Sequence, residues 1–212
     1  YVLMWLKIKA HRFTIKSFNC NMKNKLIDYF SQFTELSKQE VDVLWESMLV
    51  KDYEKGEFIV KENQINTNTF FILEGFIRQF KTVDGNEITT GFFGEQQWII
   101  SSEQIRTIDS TEALVCMEPT SIVVGNESKA QQLFSKFPRF ETISRMVMEK
   151  VFAEQQKWMK CYLTDSPEQR YLKLLKEQPD IFQKVPQYCI ASYIGVKAES
   201  LSRIRKRITL NN

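Results

Sequence analysis

The dipeptide Asp84-Gly85 sits between two runs rich in Phe and Ile or Thr, FIRQFKTV (76–83) and NEITTGFF (86–93). A two-residue type I′ turn needs positive φ at both central positions, and Asp-Gly meets that need at low steric cost, so the segment predicts a β-hairpin. The runs EFIV (57–60) and FFIL (70–73) are equally short, and Lys55-Gly56, Asn66 to Asn68 and Glu74-Gly75 punctuate them with turn residues. Short strands with no helical pattern between them specify a small antiparallel barrel or roll from Lys51 to about Gly125, not a βαβ sheet. A β-sandwich of any function would show the same spacing, so this region alone names no activity.

Helical patterning flanks the strands. From Met22 to Val50 the apolar residues Leu26, Ile27, Phe30, Phe33, Leu36, Val41, Val43, Leu44 and Met48 recur at helical spacing. Ser37 and Glu40 make a capping-box signature for a second short helix there. Beyond the strands, Ser128 to Phe137 predicts a short helix stopped by Pro138. A longer one then carries Phe140, Ile143, Val147, Val151, Glu154, Trp158 and Cys161 along one stripe. That stripe fits burial against the roll or a two-helix seam between subunits. Ser166-Pro167-Glu168-Gln169 then reads as a fresh start, with Ser at the N-cap, Pro at N1 and Gln at N3.

Charge is distributed unevenly. The overall +3 resolves into +4 over 1–21, +5 over 166–212 and −6 over the stretch between. A basic C-terminal module behind an acidic body is the balance expected when one end meets phosphate. The segment 1–21 opens on Tyr1, and its apolar start YVLMWL is too short for a signal h-region and precedes its basic residues, so it is not read as a leader. Met22 is read as the native start and 1–21 as an upstream extension, a genuine basic arm being the alternative. Cys20, Cys116, Cys161 and Cys189 are scattered and predict reduced cytoplasmic thiols. His11 is the only histidine. No His-based catalysis, metal site or cofactor is therefore expected, and no P-loop, G-x-S-x-G or H-E-x-x-H occurs, so the chain is not read as an enzyme. No run of apolar residues is long enough to span a membrane.

The stretch VPQYCIASYIGVKAESLSRIRKRI (185–208) says most about function. Pro186 can open a helix whose buried face is Ile190, Ala191 and Ile194. Gly195 then sits where a tight turn between helices wants left-handed backbone, followed by Val196 as a buried turn residue. A second helix over 197–208 turns Leu201, Ile204 and Ile208 inward and presents Lys197, Glu199, Ser200, Ser202, Arg203, Lys206 and Arg207 outward. Such a face can place side chains on base edges and flanking phosphates in a major groove. A generic αα-hairpin with a solvated basic helix is the plainer alternative.

From Met22 onward the chain resembles the Crp/Fnr family of bacterial transcription regulators, particularly the short members common in Bacteroidetes. The features that carry the resemblance are FFILEGFIRQF, GFFGEQQW, SPEQRYLKLL and, most specifically, IASYIGVKAESLSRIRK. The resemblance implies an α+β chain: an antiparallel β-roll (a double-stranded β-helix of cyclic-nucleotide-binding type) with flanking helices, a long dimerisation helix and a C-terminal winged helix-turn-helix. The boundaries expected are 22–137 for the roll, 138–164 for the dimerisation helix and 165–212 for the helix-turn-helix. It also implies a homodimer on a pseudo-palindromic operator in double-stranded DNA, with RNA polymerase a further candidate partner. By motif, Glu199 and Arg203 fall on the family's main base-reading positions. Glu would accept from cytosine N4, Arg would donate to guanine O6/N7, and Ser200, Lys206 and Arg207 would meet phosphates. An Arg often precedes that Glu; Ala198 stands there instead, so operator preference should differ.

The same resemblance allows a test for cyclic AMP. In relatives that bind it, a Gly-Glu pair and an Arg about a dozen residues later cradle the phosphate. Gly94-Glu95 matches the first part, but the Arg position falls near Ser110-Thr111, beside Asp109, and Arg106 lies about four residues too early. A phosphate there would lack its paired cation, so cyclic AMP is not the expected effector. The candidate effector residues are Gly94, Glu95, Trp98, Arg106, Ser110 and Thr111, with Trp98 more readily read as plain core than as pocket. Iron–sulfur and haem sensing lack the thiolates and the histidine they need. What is left is an unknown small molecule in a pocket of Phe-rich strands, Trp98 and the long helix, or no ligand. The competing function is a ligand-binding or protein-interaction module without specific DNA binding.

Overall fold

The computed structural model describes residues 24–100 and 112–210; the segment 1–21 and the candidate residues Arg106, Ser110 and Thr111 lie outside them. A helix over 24–31 (α1) and α2 (Lys38–Ser47) lead in. The strands β1 (Leu49–Tyr53), β2 (Phe58–Val60), β3 (Asn68–Glu74), β4 (Ile77–Val83), β5 (Asn86–Phe93), β6 (Trp98–Ile99), β7 (Ala113–Cys116) and β8 (Thr120–Asn126) follow. The rest is helical: α3 (Glu127–Lys136), α4 (Arg139–Thr164), α5 (Pro167–Glu177), α6 (Ile181–Lys184), α7 (Gln187–Tyr193) and α8 (Ala198–Leu210). No strand follows β8 among the described residues, so the wing that the resemblance implies is not among them.

The strands form two antiparallel sheets of four, ordered β1-β8-β3-β6 and β2-β7-β4-β5. The hairpin turn is where Asp84-Gly85 predicts it, with φ of 50° and 75°. Successive side chains of a strand point to opposite faces. On β3, Phe70 and Ile72 therefore enter the space between the sheets, where Ile77, Ile99, Leu114 and Ile122 meet them. Phe71 and Leu73 point the other way, into a layer made by α1, α2 and α4. Both faces of β3 are buried, which is why FFIL reads as an unbroken apolar run.

Sequence patterning went astray at three places. Leu49 and Val50 belong to β1, which pairs with β8 along its whole length, rather than to a helix running to Val50. Residues 181–184, for which the sequence pattern gives no helix, make a single helical turn that buries Ile181. The cap of α3 is Asn126, whose side chain accepts from the Ser128 amide, so Ser128 lies inside the helix.

The long helix α4 presents two apolar stripes. Phe140, Ile143, Val147 and Val151 are buried against the body, and Trp158 continues that line onto α7. A second stripe, Met148, Phe152 and Met159 with Tyr162 and Leu163, is uncovered; Phe152 is 62% and Leu163 78% exposed. The stripe expected from the sequence is the inner one as far as Val151, which favours burial there; Glu154 is exposed, and Trp158 and Cys161 are half-buried.

Candidate nucleic-acid interface and effector site

The C-terminal unit begins at a complete capping box. Ser166 Oγ accepts from the Gln169 amide (3.3 Å) and Gln169 Oε1 accepts from the Ser166 amide (2.8 Å), with Pro167 at N1. Arg170, on the buried side of α5, then ties the unit to its surroundings. Its Nε donates to the Ile194 carbonyl (3.0 Å), and Nη1 donates to the carbonyls of Tyr162 (3.1 Å) and Asp165 (2.6 Å). These oxygens lie at the C-terminal ends of α7 and α4, where a helix leaves carbonyls without intrahelical partners. One buried guanidinium thus closes two helix ends.

The turn between α7 and α8 follows from Gly195, whose φ is +77°. Its amide donates to the Ser192 carbonyl (3.0 Å) and the next amide, Val196, donates to Ala191 (2.9 Å). Cys189, Ile190, Ala191 and Ile194 of α7 pack with Leu201 and Ile204 of α8, all buried, with Ile208 partly so. Opposite that seam on α8 stand Glu199, Arg203 and Lys206, flanked by Ser200, Ser202 and Arg207, every one exposed. Lys197, also exposed, precedes the helix, and its carbonyl accepts the Leu201 amide. The expected reading residues are therefore together on one open face. Arg207 differs from the rest because Glu168 of α5 holds its guanidinium at 3.2 Å. It would have to leave that partner to meet a phosphate.

The unit is packed onto the roll, a contact that sequence reasoning missed. Phe76 and Phe92 of the roll share one core with Tyr171, Ile181, Ile190 and Leu201. Buried Arg78 donates through Nε to Thr89 Oγ1 (2.9 Å) and through Nη1 to Glu87 (2.6 Å), fixing the hairpin. The Thr89 amide in turn donates to Ser192 Oγ on α7 (2.9 Å). Lys184 adds an ion pair to Glu118 (2.8 Å). Tyr193 is the centre of this contact: its ring stacks on Trp158 of α4 (4.5 Å, 3°) and meets the edge of Phe92 on β5 (4.9 Å). Burial pushes the Tyr193 hydroxyl pKa up, with Glu177 adding to it.

The expected phosphate cradle is engaged by the chain itself. The Gly94 amide donates to Gln97 Oε1 (2.7 Å), and Glu95 pairs with Lys25 of α1 (2.9 Å). Trp98 belongs to an aromatic cluster with Phe71 (5.0 Å), Tyr29 (6.4 Å) and Phe30 (6.4 Å), and it also borders two cavities. One of about 300 Å³ lies between the first sheet and α2, α3 and α4. The other, about 730 Å³, opens where β5, α4, α5 and α7 meet. Both fall near the ~300–1,000 Å³ typical of small-molecule sites. Cys116, Cys161 and Cys189 are free thiols. Burial raises the Cys116 pKa to about 11 and also raises that of Cys189, so neither is a ready nucleophile.

Residues 50–137 match the family model described as the cyclic nucleotide-binding domain. No curated protein matches the sequence. Among solved structures, the chain is similar to the global regulator CLP of Xanthomonas campestris, described as c-di-GMP responsive. That match has 14% identity and a TM-score of 0.63, covering 81% of this chain and 91% of that one. A CooA mutant from Carboxydothermus hydrogenoformans is similar at 16% identity and TM-score 0.59, with 78% of each chain covered. The catabolite activator protein of Thermus thermophilus matches at 16% identity and TM-score 0.51, over 84% of this chain and 86% of that one. The chain thus carries a cyclic nucleotide-binding domain at residues 50–137 and shares its fold with these solved structures.

Proposed function

We propose that this protein is a cytoplasmic, homodimeric transcription regulator that binds a pseudo-palindromic DNA operator through α8 and is controlled by an effector other than cyclic AMP. The observation that carries the reading is the open face of α8. Glu199, Arg203 and Lys206 project together from a helix fixed by a tight glycine turn, with none of the described residues covering them. Glu199 and Arg203 are the base readers, and Lys206, Ser200 and Ser202 position the helix on phosphates. Lys197 supplies a further cation at the start of α8. Arg207 contributes after exchanging Glu168 for a phosphate.

The dimer reading rests on the second stripe of α4. Met148, Phe152, Gln155, Met159 and Tyr162 succeed one another at alternating steps of four and three, the spacing of a two-helix seam. An uncovered run of this kind on a helix about 39 Å long is costly in water and is relieved by a second copy. A twofold dimer then presents two copies of α8 to half-sites about one helical turn, ~34 Å, apart.

The effector reading rests on the engaged cradle. A cyclic phosphate would have to displace Gln97 from the Gly94 amide and Lys25 from Glu95. Selection of the full chain against a random duplex library tests the function. An inverted repeat should emerge, with affinity falling steeply as salt is added. Enrichment of no sequence, or affinity indifferent to salt, would refute DNA reading and leave a ligand-binding or protein-interaction module.

A further inference from the structure

Of the two cavities, only the larger touches the reading unit. Its walls come from Thr90 to Phe93 of β5, from the second half of α4, from Lys173, Glu177 and Gln178 at α5 and from Tyr193 of α7. The smaller cavity is lined by α2, α3, α4 and the strands, with no residue of α5 to α8. A molecule in the larger cleft therefore contacts the roll, the long helix and the helix-turn-helix at once. The space between the sheets offers no such opportunity, because Phe70, Ile72, Ile77 and Ile122 fill it.

The chemistry of the cleft restricts what it can hold. The rings of Phe92, Phe93, Trp98 and Trp158 give it aromatic walls, and the amides of Gln155 and Gln178 supply hydrogen-bonding groups. Among the described residues only two cations line it, and both are already paired: Lys157 with Glu177 (2.6 Å) and Lys173 with Asp165 (2.6 Å). Glu154 adds a further negative charge to the wall. An anion entering here would be desolvated beside carboxylates with no free cation among the described lining residues, which is unfavourable. An uncharged aromatic ring with a hydroxyl or amide substituent meets none of these penalties.

We propose that this cleft is the effector site and that its ligand is an uncharged aromatic molecule bearing hydrogen-bonding groups. The inference rests on the regulator reading above and gives that effector a place and a chemical class. Bound there, the ligand lies against Tyr193, the ring through which α7 meets both α4 and β5. The ligand acts on the orientation of α8 directly. Met159 and Leu163 form the outer lip and belong to the proposed dimer seam, so a second copy of the chain would complete the cleft.

Cys161 is a built-in reporter. It lines the cleft and is half-buried, whereas Cys116 and Cys189 are buried. In the full chain carrying Cys20→Ser, alkylation of Cys161 by N-ethylmaleimide is followed by mass spectrometry. The two probes share one ring system: 2-naphthol, uncharged at neutral pH, and 2-naphthoate, which carries a carboxylate. Protection by 2-naphthol should appear at concentrations on the order of tenfold lower than any protection by 2-naphthoate. Filling the cleft from either wall, with Thr90→Phe or Glu154→Phe, should abolish protection. Ala130→Phe, which fills the smaller cavity, should leave it intact. Equal or better protection by 2-naphthoate overturns the ligand class. Absence of protection by either probe overturns the site, as does protection that survives both filling variants. No DNA is present in this assay, so its outcome and that of duplex selection are independent.

Discussion

Replacing Gly195 by alanine tests the turn that aims α8. Two separable penalties follow from its geometry. At φ +77° an L-residue is in left-handed backbone, which costs roughly 1–2 kcal/mol. A Cβ built there would also lie 2.6 Å from Tyr162 Oη, 3.2 Å from its Cζ and 3.4 Å from Cε2. Tyr162 cannot retreat freely, because the Arg170 guanidinium lies 4.7 Å from its ring centroid while holding the Tyr162 carbonyl. Overpacking of this kind typically costs about 1–3 kcal/mol. Gly195→Ala should therefore destabilise the C-terminal unit by about 2–5 kcal/mol. Tyr162→Phe removes the nearest atom and leaves ring carbons that need to give by only a few tenths of an ångström. The double variant should recover most of the steric part, about 1–3 kcal/mol, and none of the backbone part. Urea unfolding of the four proteins, read by exchange protection of α7 and α8 amides, gives both numbers as one cycle. A neutral or stabilising Gly195→Ala would mean that the turn does not hold left-handed backbone. Additive single effects would mean that Tyr162 does not crowd it.

Three further outcomes are expected. Arg203→Ala, on the exposed face of α8, should leave stability within about 0.5 kcal/mol and cost about 1–3 kcal/mol on the selected operator, relaxing preference at one base pair; unchanged discrimination in a competition assay removes Arg203 from the readers. Phe152→Glu should convert the dimer to monomer in sedimentation while helix content is kept, since Phe152 is exposed within the single chain; a persistent dimer would place the interface elsewhere. The Glu40 carboxyl is held below its usual pKa, first by the Ser37 amide (2.8 Å) and also by Arg139 (3.1 Å). Its folded pKa is depressed, so the stabilisation is present above the unfolded value and is lost as pH falls through the folded one. Glu40→Gln should flatten that acid limb in pH-dependent urea unfolding and cost about 1 kcal/mol at neutral pH, and an unaltered limb would refute the assignment.

What could be read from the sequence was local chemistry with one steric solution. Asp84-Gly85, the Ser37 and Ser166 capping boxes and Gly195 each satisfy a backbone requirement within a few residues, and each lies where the pattern puts it. The start of β1 escaped because Leu49 and Val50 follow directly on the helical spacing of Leu44 and Met48; their place is set by pairing with β8, some seventy residues away. The outer stripe of α4 escaped for a different reason. Two apolar lines run along one helix, and periodicity cannot say which is covered when Val147 and Met148, or Val151 and Phe152, are neighbours in sequence. Phe76 and Phe92 gave no sign that they face α7 rather than the roll interior, because alternation fixes two faces but not their partners. The paired state of Arg207 was equally hidden, since Glu168 lies on another helix.

These missed contacts bear most directly on control. α4 serves the molecule with three sets of side chains at once: Ile143 and Val147 toward the body, Trp158 toward α7, and Met148, Phe152 and Met159 outward. A rotation of this helix that improved packing on a second copy would shift Trp158, and with it the Tyr193 ring stacked upon it. Tyr193 is also held by Phe92, while the adjacent Ser192 is hydrogen-bonded to the Thr89 amide, so the roll opposes any such shift. Since coupling between distant sites needs an element that both can bias, the Trp158–Tyr193–Phe92 contact is the element this fold supplies. It lies on the wall of the larger cleft, so the proposed ligand, dimer seam and reading helix would converge on one aromatic ring instead of communicating through the filled interior of the roll.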